Sequence, residues 1–119
     1  MKTHKDLDIW KKSIDFVTLI YKTTANFPNN EIYGITGQIR RSAVSIPSNI
    51  AEGAARTSLK EFDYFLSVSL GSISEIETQL IISQNLEYIN HDHFIELDNK
   101  LTDIRKMVLG LKKSLADRK

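Results

Sequence analysis

Residues 94–115, FIELDNKLTDIRKMVLGLKKSL, decide the fold class. Their apolar members Phe94, Leu97, Leu101, Ile104, Val108, Leu111 and Leu115 recur at alternating spacings of three and four. On a helix of 3.6 residues per turn, that spacing draws them into one seam, the pattern of a helix packed in a bundle or coiled coil. Asn90 or Asp92 offers a start cap. Asp92 and Glu96 complement the positive end of the helix dipole, and Lys112 and Lys113 the negative end. A helix over about residues 92–116 follows, and it needs partners for its seam.

Three more helices supply them. Phe62, Leu66, Ser69, Ile73, Ile76 and Leu80 repeat the same spacing within a helix of about residues 58–85, opened by the capping box Ser58-Leu59-Lys60-Glu61. A first helix, about 6–25, carries Trp10, Ile14, Val17, Tyr21 and Thr24 on one face with Ile9, Phe16 and Ile20 beside it, an apolar face wide enough for two neighbours. The second, about 31–53, opens at Asn30-Glu31, lines one side with Ile35, Ile39, Ser42, Ile46 and Ile50, and meets a left-handed stop at Gly53. Pro47 lies inside it. A proline there removes one amide donor and crowds the carbonyl of Ala43, so a kink or break is predicted near Val44 to Ile46, softened by the hydroxyls of Ser42, Ser45 and Ser48. Short connections at 26–30, 54–57 and 86–91 make the whole an all-α, up-down-up-down four-helix bundle, one domain over residues 1–119.

Composition agrees and narrows the chemistry. At 119 residues and 41% hydrophobic content the chain holds one core, and its two prolines and five glycines favour helix. The absence of cysteine rules out disulfides, thiolate metal sites and a cysteine nucleophile. The longest uncharged run, Tyr64 to Ser74, is eleven residues with four serines and a glycine, far from the ~20 apolar residues of a membrane span. A cytoplasmic chain without a leader or membrane segment is expected. The net charge of +1 conceals +4 over residues 1–60, −8 over 61–98 and +5 over 99–119. Acidic and basic helix faces would favour self-association or a partner; the same charges could instead neutralise one another within a monomer. A stripe of small residues, Ser67, Gly71, Ser74 and Thr78, fits either close helix packing inside the bundle, against Ala43, Ala51, Ala54 and Ala55, or a subunit interface.

The run from Gly37 to Gly53, with the core Ile46-Pro47-Ser48-Asn49-Ile50-Ala51-Glu52-Gly53, followed by Glu61-Phe62 and Gly71-Ser72 with Glu75, resembles the family of 23S ribosomal RNA intervening-sequence proteins. The likeness covers about residues 6–115. It implies a four-helix bundle encoded within, or apart from, insertions in bacterial large-subunit ribosomal RNA genes. Through a relative, the accessory variability determinant protein of diversity-generating retroelements, it further implies a barrel-shaped homopentamer that binds nucleic acid and a reverse transcriptase. Where that relative is strongly basic this chain is nearly neutral, which weakens any binding carried by phosphate neutralisation alone.

Within the signature, Asn49 and Glu52 lie one turn apart; with Ser45, Ser72 and Glu75 they are expected to form a polar network that fixes helix register about Pro47. Arg40 and Arg41 point to different faces. With Arg56, Lys60, Arg105, Lys106, Lys112 and Lys113 they are the candidate phosphate-contacting residues, ordinary surface charge being the competing reading. Catalytic readings find little. Glu52 and Glu75 alone do not make an acid/base pair, His91-Asp92-His93 suits a helix start better than a metal, and no phosphate-cradling glycine loop or nucleophile elbow occurs. No arginine precedes a histidine by the four to six residues of helical-bundle ribonucleases. No catalytic residue, metal or cofactor is expected. Two functions follow: a non-catalytic homo-oligomer associating with RNA or DNA, or a protein-interaction module without nucleic acid.

Overall fold

Four apolar seams meet along one axis in the computed structural model, which describes residues 3–118. The helices are α1 (Asp8–Thr24), α2 (Ile35–Ala54), α3 (Leu59–Asn85) and α4 (His91–Asp117), with single 3-10 turns at His4–Asp6 and Asn29–Glu31. Each packs on its neighbour in sequence and α4 closes back on α1, while the diagonal pairs keep their backbones farther apart. That is the antiparallel four-helix arrangement, 47 Å long and 23 by 20 Å across. Its core is the predicted one for three helices: Ile39, Ile46 and Ile50 from α2, Leu66, Ile73, Ile76 and Leu80 from α3, and Leu97, Leu101, Ile104, Val108 and Leu115 from α4.

α1 turns differently from the expected register. Its buried line is Ile9, Ser13, Phe16, Ile20, Thr23 and Thr24, whereas Ile14 and Tyr21 are exposed. Hydroxyls make this possible. Ser13 Oγ donates to the Trp10 carbonyl at 2.9 Å and Thr24 Oγ1 to that of Ile20 at 2.8 Å, so both side chains enter the core already satisfied.

Both ends of α2 also correct the reading. Asn29–Glu31 forms only a 3-10 turn, and the helix begins at Ile35 behind Gly34. Glu31 is engaged elsewhere, accepting a 2.8 Å hydrogen bond from the Tyr88 hydroxyl, and a Cβ on Gly34 would collide with that carboxylate. At the other end Gly53 is helical and buried, with no positive φ. Its role is space: a Cβ there would lie 2.9 Å from Phe62 Cδ1 and from Phe65 Cβ. The tight α2–α3 crossing is therefore at Gly53, and the small-residue stripe is not part of it. Ser67, Gly71, Ser74 and Thr78 are all exposed, and a Cβ on Gly71 would meet nothing within 4 Å.

α2 continues through buried Pro47 without a break. The carbonyls in the turn before it carry side-chain donors, Asn49 Nδ2 to Ser45 O at 2.8 Å and Ser69 Oγ to Ile46 O at 3.2 Å. These come from Asn49 and from α3, where the sequence pointed to Ser42, Ser45 and Ser48.

α3 is long and apolar enough over one 18-residue window, mean hydropathy 1.2, to satisfy the length and composition of a membrane span. In this fold its seam packs on α2 and α4. A Schellman-type turn ends it: Tyr88 N bonds Ser83 O and Glu87 N bonds Gln84 O, both at 2.9 Å, with Glu87 at φ 63° where glycine is usual. Asn90 caps α4, its Oδ1 accepting from His93 N at 2.8 Å.

Candidate functional site

The polar side of the signature lies between α2 and α3. Ser45 and Ser72 hydroxyls stand 2.8 Å apart, and Asn49 Nδ2 donates to Ser45 Oγ at 2.9 Å. A second group sits about one turn nearer the start of α2: Gln79 Nε2 donates to Ser42 Oγ at 3.3 Å, and Ser42 Oγ to Glu75 Oε2 at 3.5 Å. Four of the five predicted network members are thus on this seam. Glu52 is not. It lies on the solvent side, 3.5 Å from Arg56 one turn on, so it is not near Glu75. Gln79 and Ser69 belong to the seam and were not singled out for it; their spacings of three and seven from Ser72 and Ile76 are the only signal in the sequence. Together with Gln38 and Arg41, Ser42, Ser45, Ser72, Glu75 and Gln79 line an open groove of about 270 Å³.

The eight candidate cations divide by what they touch. Arg105 grips Glu77 with both ends of its fork, at 2.8 and 2.5 Å. Lys112 Nζ donates to Asp63 Oδ1 at 2.8 Å and to Ser67 Oγ at 2.6 Å. Arg56 bridges Glu52 and Glu61 at 3.5 and 3.6 Å. Arg40 lies over the Tyr21 ring, 4.6 Å from its centroid, and donates from Nε to Thr24 Oγ1 at 2.8 Å. Arg41, Lys60, Lys106 and Lys113 are exposed and form no ion pair among the described residues.

These pairs settle how the charge is laid out. Glu61, Asp63 and Glu77 of the acidic third helix are paired within the monomer with Arg56 after α2 and with Lys112 and Arg105 of α4, which leaves Glu75 as the α3 carboxylate without an ion pair among the described residues. What remains is a polarity along the long axis. Antiparallel packing gathers Arg56, Lys60, Lys112 and Lys113 where α2 ends, α3 begins and α4 ends. Glu31, Glu87, Asp92 and Glu96 gather at the opposite end, where Phe27 packs on Tyr88 at 5.2 Å and Thr23 Oγ1 lies 3.1 Å from His93 Nε2. Arg40, Arg41 and Arg105 are not part of the basic end.

Hydrogen bonding from Arg105 holds the Glu77 carboxyl below the ordinary carboxylate range, partial burial opposing it. A depressed carboxylate stabilises the fold above its unfolded pKa, and that contribution disappears as pH falls through the folded value. Arg105→Met should cost about 1 kcal/mol at pH 7, a figure reduced by solvent screening, and the deficit should shrink as the pH falls below about 4. Urea unfolding of both proteins at pH 7 and pH 3 checks it; a deficit independent of pH would mean that packing of the arginine stem, not its charge, is what was lost.

Among the described residues, no group of three or more His, Asp or Glu is placed to hold a metal ion. His91 and His93 serve the helix start, His91 Nδ1 lying 3.0 Å from Gln84 Oε1.

A family model described as 23S rRNA-intervening sequence protein matches residues 5–110. Among curated proteins none matches the chain. A crystal structure of a protein of unknown function from the S23 ribosomal protein family of Bacteroides thetaiotaomicron is similar, with a TM-score of 0.81 and 26% identity over 88% of this chain and 95% of that one.

Proposed function

The chain belongs to the 23S rRNA-intervening sequence protein family, and from that premise we propose that it is a non-catalytic, cytoplasmic homo-oligomer, a pentamer by family likeness, that associates with RNA or DNA through the basic end of its bundle. The observation that carries this reading is the convergence of Arg56, Lys60, Lys112 and Lys113 from three helix ends. Glu52, Glu61 and Asp63 lie among them as the partners of Arg56 and Lys112, so the positive charge left for phosphate at this end is chiefly that of Lys60 and Lys113. Lys60 and Lys113 have no acidic partner among the described residues, and the ion pairs of Arg56 are solvent-exposed and weak enough to be exchanged for phosphate. A reverse transcriptase or other nucleic-acid protein is a fitting companion, and no membrane takes part.

Binding of a structured RNA, measured by fluorescence anisotropy across a salt series, tests the reading. Lys60→Glu with Lys113→Glu should weaken binding about tenfold or more and lower the slope of log K against log salt by roughly two, because neither side chain forms an ion pair among the described residues. Absent or salt-insensitive binding by the unmodified protein overturns it.

The second reading, an assembly module without nucleic acid, is favoured by the outer face of α3. Tyr64 is 62% exposed and Ile81 49%, and the positions between them include Ser67, Gly71, Ser74 and Thr78. Solution mass distinguishes a stable monomer from an oligomer on this face.

A further inference from the structure

We propose that the groove between α2 and α3 binds an unpaired guanine base of a single-stranded nucleic acid, an inference that rests on the nucleic-acid reading above and names what that reading leaves open. Arg41, Ser42 and Ser45 form one wall; Ser72, Glu75 and Gln79 form the other. The lining is polar throughout. Arg41 and Glu75 carry opposite charges, yet neither forms an ion pair with the other or with any described residue. An isolated anion would be repelled by Glu75 and an isolated cation by Arg41. An apolar ligand would strand the unpaired charges of Arg41 and Glu75. The site therefore suits a neutral, planar molecule with an acceptor edge beside a donor edge.

Guanine is such a molecule. Its O6 and N7 match the fork of an arginine, the commonest specific base contact, and its N1–H and N2–H donors match the two oxygens of a carboxylate. Adenine, cytosine and uracil lack this combination. The donor edge is the Watson–Crick edge, which only an unpaired base exposes, so the ligand is a single strand or loop. Serine hydroxyls turn to donate or accept, and three of them line the groove.

Two details fit a site left incomplete by the chain itself. Gln79, only 9% exposed, holds Ser42 through its Nε2 while its Oε1, closed to solvent, has no hydrogen-bond partner, and Ser42 meets Glu75 at a long 3.5 Å. Arg41 folds back along α2 over Gly37: a Cβ there would lie 2.8 Å from the Ile32 carbonyl oxygen and 3.1 Å from Arg41 Nη1, so the glycine leaves room for both. Lys60 and Glu75 are about 22 Å apart along α3, so a strand anchored at the basic end can lay a base in the groove.

Anisotropy with labelled RNA octamers tests this: oligouridine, and the same octamer carrying one central guanine, inosine or 7-deazaguanine. The guanine octamer should bind about tenfold more tightly than oligouridine. Inosine, without N2–H, and 7-deazaguanine, without N7, should each lose part of that gain. Glu75→Gln should abolish the difference between guanine and inosine, and Arg41→Met that between guanine and 7-deazaguanine. Both side chains are exposed, so circular dichroism should show unchanged folding. Equal binding of the guanine and uridine octamers, or discrimination surviving both substitutions, overturns the base site while leaving nucleic-acid association standing; no binding of any octamer overturns the site and, if structured RNA also fails, the reading beneath it.

Discussion

Ile46→Ala should lower the stability of the fold by about 3 kcal/mol, a drop of roughly 12 °C in Tm for a chain of this size. Ile46 is fully buried against α3, immediately before Pro47 and two turns before the crossing at Gly53, and its carbonyl is held by Ser69. Truncation removes the apolar transfer energy of three carbons and leaves a hole, because neighbours already tied by that hydrogen bond collapse poorly into it. Val44, two residues earlier, is 39% exposed on the other side of the same helix. Val44→Ala should change stability by no more than about 0.5 kcal/mol. Urea unfolding of the two variants reads the register of α2 directly. Similar losses at both positions would mean that the helix is rotated from the orientation described.

Gly53→Val should cost about 2–3 kcal/mol, although glycine inside a helix is ordinarily a weak residue. A Cβ at position 53 meets Phe65 Cβ, an atom next to the α3 backbone that cannot swing aside, so the two helices would have to separate. Gly71→Ala is the control of opposite sign. Its Cβ enters open space, so the monomer should gain about 0.5–1 kcal/mol through helix propensity and reduced freedom of the unfolded chain. Equal signs for the two substitutions, measured by thermal unfolding, would contradict the placement of the α2–α3 crossing.

The fold was legible wherever apolar spacing alone sets the face. The seams of α3 and α4 are in place as read, because Leu66, Ile73, Leu80, Leu101 and Val108 have no way to be stable except buried together. α1 was misread in part because its apolar face is broad and its true line includes Ser13 and Thr23 beside the expected Ile9, Phe16, Ile20 and Thr24. A hydroxyl that bonds a carbonyl one turn back is as easily buried as a methyl, and sequence does not say which way it turns. Gly53 was misread because glycine answers two different demands, a left-handed backbone or a missing side chain, and only the neighbour's position tells them apart.

The candidate site was legible as residue types and not as a place. The signature run carries Arg41, Ser42 and Ser45, and α3 supplies Ser72 and Glu75, but the groove exists only where the two helices face each other. Gln79 becomes part of it through a contact 37 residues away in sequence.

By itself the sequence determined that the fold is all-α with four helices, which residues form most of its core, and which family it joins. Those follow from local periodicity and from a contiguous motif, both properties of neighbours along the chain. Only the tertiary structure decided how the charges act. The −8 of residues 61–98 is an acidic stretch on paper, but antiparallel packing brings Lys112 to Asp63 and Arg105 to Glu77 and leaves Glu75 as the α3 carboxylate without an ion pair among the described residues. Coulomb energy depends on distance in space, and spacing along one helix does not set the distance to the next.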